Sequence, residues 1–404
     1  MALSSDTDDS NDGGSSDPLT VETAATKRQR FNFSDGTLTS PVPSSSDTTP
    51  LATLPFEIMV EILSRLPVKF LMQLQSVCKS WKSLISDPKF AKKHFRLSRT
   101  HHHLLLTYTN PSREFVLTAY PVSSVFTQVT ATATQLEYPL NNRNRFDLIV
   151  DSCHGIICFA LDQRFALLWN PSIRKFTKLP SLDNPKLKGS YTIYGFGFGY
   201  HLFSDCYKVV AVYCYESDGS YKTQVKVLTL GANAWRRIQD FPSGVPFDAS
   251  GKFVSGTINW LASRDSYSSW VIVSLDLDKE SYQELLQPDY GQVTVVTLSL
   301  GVLRECLCIL SHSDTFSDVW LMTEYGNKDS WTKLFHVPYT GDVGSWPYTK
   351  ALYVFEDDKV LLECQSGLVV YNARDATFKT PEIQNINGWM VPEIYQESLI
   401  SPCS

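Results

Sequence analysis

WNPSIRKFTKLP, residues 169–180, runs from an apolar strand through a polar turn into a second short strand that ends on an apolar–Pro pair. The same plan returns in LTLGANAWRRIQDFP (228–242), SLDLDKESYQELLQP (274–288), WLMTEYGNKDSWTKLFHVP (320–338) and VYNARDATFKTPEI (370–383). With Asn170, Thr229, Asp276, Met322 and Asn372 taken as equivalent, the copies lie 59, 47, 46 and 50 residues apart. Upstream partners recur as well, in SCHGIICFA at 152, VSGTINWLA at 254, LRECLCIL at 303 and DDKVLLEC at 357. A blade of four antiparallel strands takes about 40–50 residues. Residues 97–404 therefore predict an all-β propeller of about six four-stranded blades, with seven left open because 97–150 is irregular.

On the C-terminal side, EIYQESLIS (393–401) is strand-like and comes last. It is placed to complete the first blade, made of residues 104–109 and 115–119, and to lock the ring, because closure removes exposed strand edges. In the alternation Gly195-x-Gly197-x-Gly199, glycine lets an inner strand pack closely near the axis. The spacing is not that of a dinucleotide-binding turn.

On the N-terminal side, residues 51–96 change character. LATLPFEIMVEILSRLPVKFLMQLQSVCKSWKSLISDPKFAKKHF reads as three short helices. Pro55 suits a first turn, Ile58, Ile62 and Leu66 recur at i, i+4 and i+8, and Pro67 ends one helix and opens the next. Val77, Trp81, Leu84 and Ile85 mark the third, and Asp87-Pro88 stops it. The module is too apolar to hide every side chain in its own small core, so the surplus needs another surface. Lys69, Lys79, Lys82, Lys89, Lys92, Lys93 and Arg96 rim it, which suits an acidic partner.

Residues 1–50 hold 18 Ser and Thr and read as a disordered tail, since they cannot bury enough apolar surface to offset ordering entropy. Lys27-Arg28-Gln29-Arg30 is its one basic cluster and reads as a solvated patch, with nuclear import as the alternative. The 404-residue chain is 43% hydrophobic and 19% charged, which supports a large folded core, and its 12% aromatic content favours strands. A net charge of -6 argues against a general nucleic-acid binder. A mean hydropathy of -0.14, with no run of about 18 apolar residues, argues against a membrane span. The first residues show no secretory signal, and nine cysteines, an odd number, suit free thiols in a reducing compartment. Cytoplasm or nucleus is the expected location.

Residues 51–96 closely resemble a plant F-box. The matching residues are Leu54-Pro55, the run from Glu61 through Lys69, Val77-Cys78-Lys79-Ser80-Trp81, and the run from Leu84 through Phe90. Phe70, Gln73 and Gln75 depart from the usual pattern. Ser152-Cys153-His154-Gly155, Leu168-Trp169-Asn170-Pro171-Ser172, the run from Tyr194 through Tyr200, Tyr207-Lys208-Val209-Val210, and Gly256 with Trp260 resemble the kelch-like F-box-associated domain of plant F-box proteins. The resemblance implies three parts: tail 1–50, F-box 51–96 and F-box-associated propeller 97–404. It implies the substrate receptor of a Skp–cullin–F-box ubiquitin ligase. The F-box would dock a Skp-type adaptor, and through it a cullin–RING ligase, while the propeller would hold a protein substrate. The adaptor contacts, or their direct support, are expected to be Leu54, Pro55, Ile58, Ile62, Leu66, Pro67, Val77, Cys78 and Trp81. No catalytic residue, cofactor or metal is expected.

Two rivals stay open. One is an adaptor-bound scaffold or other non-degradative binder, which differs only in target fate. The other is an enzymatic propeller, for which the residues offer little. Cys153 and His154 are neighbours and point apart in a strand, so they form no dyad. Asp151, Asp240 and Glu324 would have to meet in space. His101-His102-His103 reads as a solvated linker whose side chains alternate rather than as a metal tract. Candidate target loops are 201–205, 216–221, 264–269, 311–317 and 341–346.

Overall fold

The computed structural model describes residues 55–98, 101–110, 112, 114–127, 131, 133–140, 148–161, 165–182, 191–217, 220–242, 245–263, 270–339, 348–364, 367–383 and 390–403. Residues 1–50, with Lys27-Arg28-Gln29-Arg30, lie outside the described residues, as do Leu54 and the loops 264–269 and 341–346.

Six four-stranded antiparallel sheets follow one another. Blade 2 is formed by Leu148–Cys153, Ile156–Leu161, Phe165–Asn170 and Lys175–Lys178. Blade 3 has Tyr191–His201, Cys206–Ser217, Ser220–Thr229 and Arg236–Arg237. Blade 4 has Lys252–Val254, Thr257–Ser263, Trp270–Asp276 and Tyr282–Leu285, blade 5 begins at Thr297–Leu303 and ends at Trp331–Pro338, and blade 6 runs from Tyr348–Phe355 to Thr377–Lys379. Blade 1 joins the two ends of the propeller. Its order is Met390–Gln396, His102–Thr109, Phe115–Pro121, Thr134–Leu136, with His103 opposite Tyr395. The last strand thus closes the ring, and the blade count is six. It ends at Gln396, so 397–401 are not strand as the sequence suggested.

The first strand of each blade lies innermost, and these strands neighbour one another in a ring around the axis. The glycines of the first strand of blade 3 show why close packing is required. A Cβ on Gly197 would stand 2.6 Å from Ile258 Cγ2, and one on Gly199 would stand 2.3 Å from Phe253 Cδ2, both on blade 4. Alternation puts Cys306 and Cys308 on one side of their strand, packed into the same apolar cluster.

Four helices precede the ring: α1 (Phe56–Leu63), α2 (Val68–Leu74), α3 (Lys79–Ile85) and α4 (Pro88–Leu97). The fourth was not expected. Asp87 does end α3, but its carboxylate also accepts from Lys89 N at 2.6 Å and caps α4, with Pro88 in the first turn. Leu63, Val68, Leu71, Ile85, Phe90 and Ala91 share one buried cluster with the blade 2–blade 3 seam and with Leu399 and Ile400 of the C-terminal segment. Helices and ring therefore belong to one compact unit.

Candidate functional site

The four-helix module has two faces. The inner face docks on the ring through α4. Phe95 packs on His154 with ring centroids 5.0 Å apart, and Lys92 bonds Asp205 in the first turn of blade 3. His94 is fully buried, and its Nε2 donates to Leu66 O at 2.8 Å, tying α4 to the α1–α2 turn. Sequence reading missed His94, because its partner lies 28 residues away. The outer face leaves Phe56, Ile58, Ile62, Phe70 and Val77 between 48% and 62% exposed.

The expected adaptor residues divide between these faces. Pro55, Ile58, Ile62, Val77 and Cys78 are exposed. Leu66, Pro67 and Trp81 are half-buried, and Leu66 and Trp81 pack against the core shared with the ring. Trp81 Nε1 donates to Met59 Sδ at 2.8 Å, which ties α3 to α1. Phe56 and Phe70 were left off the expected list, and both are among the exposed apolar side chains. Their apolar type was legible, but which face the ring would cover was not.

The helices sit on the face of the propeller that carries each blade's first turn, the turn holding His154 in blade 2 and Asp205 in blade 3. Antiparallel order places the second-to-third-strand loops on the opposite face. Loop 201–205 is therefore on the helix side and does not share a face with 216–221 and 311–317. In the latter, His312 Nδ1 lies 2.8 Å from Ser317 Oγ, and Phe316 packs on His336 at 4.4 Å. This local network holds the loop's shape.

A cavity of about 470 Å³ opens along the axis beneath Phe95. Asp151, Lys252, Lys350 and Glu393 line it. Lys350 Nζ stands 2.7 Å from Glu393 Oε2, and Lys252 Nζ donates to Ser250 Oγ at 2.9 Å. Asp151 accepts from Ser152 N at 2.8 Å and from Phe253 N at 3.1 Å. Burial pushes the Asp151 carboxyl up to about 6, against the pull of Lys252. Burial also opposes charge on Glu393, but Lys350 and Lys252 outweigh it and hold that carboxyl below its usual range.

Asp151, Asp240 and Glu324 do not meet. Asp240 pairs with Arg237 at 2.7 Å in blade 3, and Glu324 accepts from Asn327 at 2.9 Å in blade 5. Burial raises the Cys153 thiol well above its usual value, the opposite of what a nucleophile needs. Among the described residues no group of three His, Cys, Asp or Glu could hold a metal ion. His102 and His103 are not a solvated linker. They lie in a strand, half-buried on opposite faces, packed on Tyr353 at 5.3 Å and Tyr395 at 5.6 Å. Among the described residues no helix is long and apolar enough to cross a membrane.

Residues 51–93 match the F-box domain, and residues 113–401 match the F-box associated beta propeller domain. An F-box/kelch-repeat protein of Arabidopsis thaliana is 34% identical over 358 residues, covering 86% of this chain and 96% of that protein. The Arabidopsis thaliana F-box protein CPR1 is 28% identical, covering 87% of this chain and 90% of its own.

Proposed function

The chain belongs to the F-box proteins that carry an F-box associated beta propeller domain, and we propose that it is the substrate receptor of a Skp–cullin–F-box ubiquitin ligase. One observation carries the reading. The F-box helices use one face to fuse with the ring and leave Phe56, Ile58, Ile62, Phe70 and Val77 in solvent. A patch of that kind on a folded protein marks a partner surface. Pro55, Ile58, Ile62, Val77 and Cys78 are the direct adaptor contacts, joined by Phe56 and Phe70, while Leu66, Pro67 and Trp81 support them from behind.

The target sits on the propeller face away from the F-box, where loop 311–317 lies and where the strands Cys206–Ser217 and Ser220–Thr229 meet. The receptor makes no bond. It raises the effective concentration of a target lysine near the ubiquitin-charged enzyme. The dispersed carboxylates and the raised Cys153 thiol support a non-catalytic subunit. The expected location remains cytoplasm or nucleus.

Co-purification with a plant Skp-type adaptor tests this. Wild type should retain the adaptor, and Ile62→Asp, still folded by circular dichroism, should lose it. Truncating one anchor of the patch should cost about 2–4 kcal/mol of binding, roughly 30- to 1,000-fold in affinity. Retention by Ile62→Asp equal to wild type would remove the proposed interface.

A further inference from the structure

Leu202 and Phe203 are 75% and 84% exposed, more than any other large apolar side chain among the described residues. They occupy the turn between Tyr191–His201 and Cys206–Ser217. Polar contacts hold that turn on both sides. Ser204 N donates to His201 Nδ1 at 3.1 Å, and His201 Nε2 stands 2.7 Å from Asp278 Oδ1 of blade 4. Asp205 is clamped by the Tyr200 hydroxyl and the Lys92 ammonium. A pinned turn therefore presents two apolar side chains to water.

The position of the turn indicates what covers it. Lys92 and Lys93 are consecutive on α4, about 100° apart around the helix. Lys93 bonds Glu61 at 2.8 Å, beside the exposed Ile62 on α1, and Lys92 bonds Asp205, two residues from Phe203. The α4 helix thus forms a saddle between two apolar surfaces, and Lys89, Lys93 and Arg96 are exposed along it. We propose that the adaptor bound to the F-box extends across α4 onto Leu202 and Phe203, laying an acidic strip over the basic saddle. The proposal rests on the receptor reading above. The adaptor is the fitting occupant because this surface lies on the F-box side of the ring and flanks the F-box's own apolar patch, with basic side chains between the two.

The test is a titration of purified Skp-type adaptor against the full chain, comparing wild type, Ile62→Asp and Leu202→Ser/Phe203→Ser. The double variant alters only exposed side chains, and its fold is checked by thermal melting. The expected result is loss of binding for Ile62→Asp and at least tenfold weaker binding for the double variant, with a steeper salt dependence in wild type than in Lys89→Glu/Lys93→Glu. Unchanged affinity of the double variant, with Ile62→Asp dead, overturns the extension and leaves the receptor reading standing. No binding by wild type overturns both. Self-association of wild type that the double variant abolishes, with adaptor affinity unchanged, assigns the pair to a second copy of the chain instead.

Discussion

His154 shows how one residue joins two parts of the chain. It sits in a turn at φ 51°. Its ring packs on Phe95 of α4 at 5.0 Å and on Tyr200 of blade 3 at 4.7 Å, and its Nδ1 stands 3.1 Å from the Tyr207 hydroxyl. Burial, aided by Lys92 and Arg96, pushes its pKa down to about 4. The unfolded chain binds this proton first, near pH 6.5, so the contribution to stability is whole above that pH and drains away as the pH falls through about 4. Between pH 7 and pH 5 the loss should be about 2 kcal/mol. His312 is shifted in the same direction to about 4, so only a comparison isolates His154. Asn tolerates positive φ and does not titrate. His154→Asn should therefore lose about 2 kcal/mol less than wild type when urea unfolding is repeated at the two pH values. Equal losses would show that the imidazole is not held neutral by this seam. None of this was legible in Ser152-Cys153-His154-Gly155 itself. The motif matched a family pattern, but the partners of His154 lie some 50 residues away on either side.

At the scale of the element, the C-terminal segment was half legible. Alternation marked a closing strand, and Met390–Gln396 closes blade 1. The sequence could not show that the chain then leaves the sheet to pack Leu399 and Ile400 against the F-box core, because that fate depends on helices 300 residues earlier. Asn170, from the repeated turn, holds the departure in place. It is fully buried, and its Nδ2 donates to Ser398 O at 3.0 Å and Ile400 O at 2.8 Å, while its Oδ1 accepts from Ser172 N at 2.9 Å. Asn170→Ala would strand two buried carbonyls and should cost about 2–3 kcal/mol. Amides around Ile400 should then exchange hydrogen faster than those of the closing strand. If stability and exchange there match wild type, Asn170 is only a turn former. The extra helix α4 was hidden for a different reason. An Asp-Pro pair is both a good stop and a good start, and nothing local separates the two readings.

At the scale of the whole molecule, the architecture makes the F-box and the ring depend on one another. The helices α1–α4 come just before His102, and the segment after Gln396 packs Leu399 and Ile400 against them, so blade 1 brings both ends of the described chain to one place. The repeat spacing made the ring legible, and the surplus of apolar residues in 51–96 showed that the helices needed another surface. It did not show that part of this surplus would go to the ring and part to solvent. The closing strand also carries Glu393, whose carboxylate pairs with the half-buried Lys350 ammonium, and Ile394, whose carbonyl accepts from Ser152 Oγ of blade 2 at 2.8 Å. Losing a half-buried, charge-assisted hydrogen bond of this kind costs about 1.5–3 kcal/mol. Glu393→Gln should therefore lower stability by roughly that amount. If helices and ring unfold together, hydrogen exchange in α1–α4 should accelerate in step with exchange in blades 2 and 3. Were α1–α4 to keep their wild-type protection while the blades lost theirs, the F-box would be a separate folding unit merely resting on the propeller.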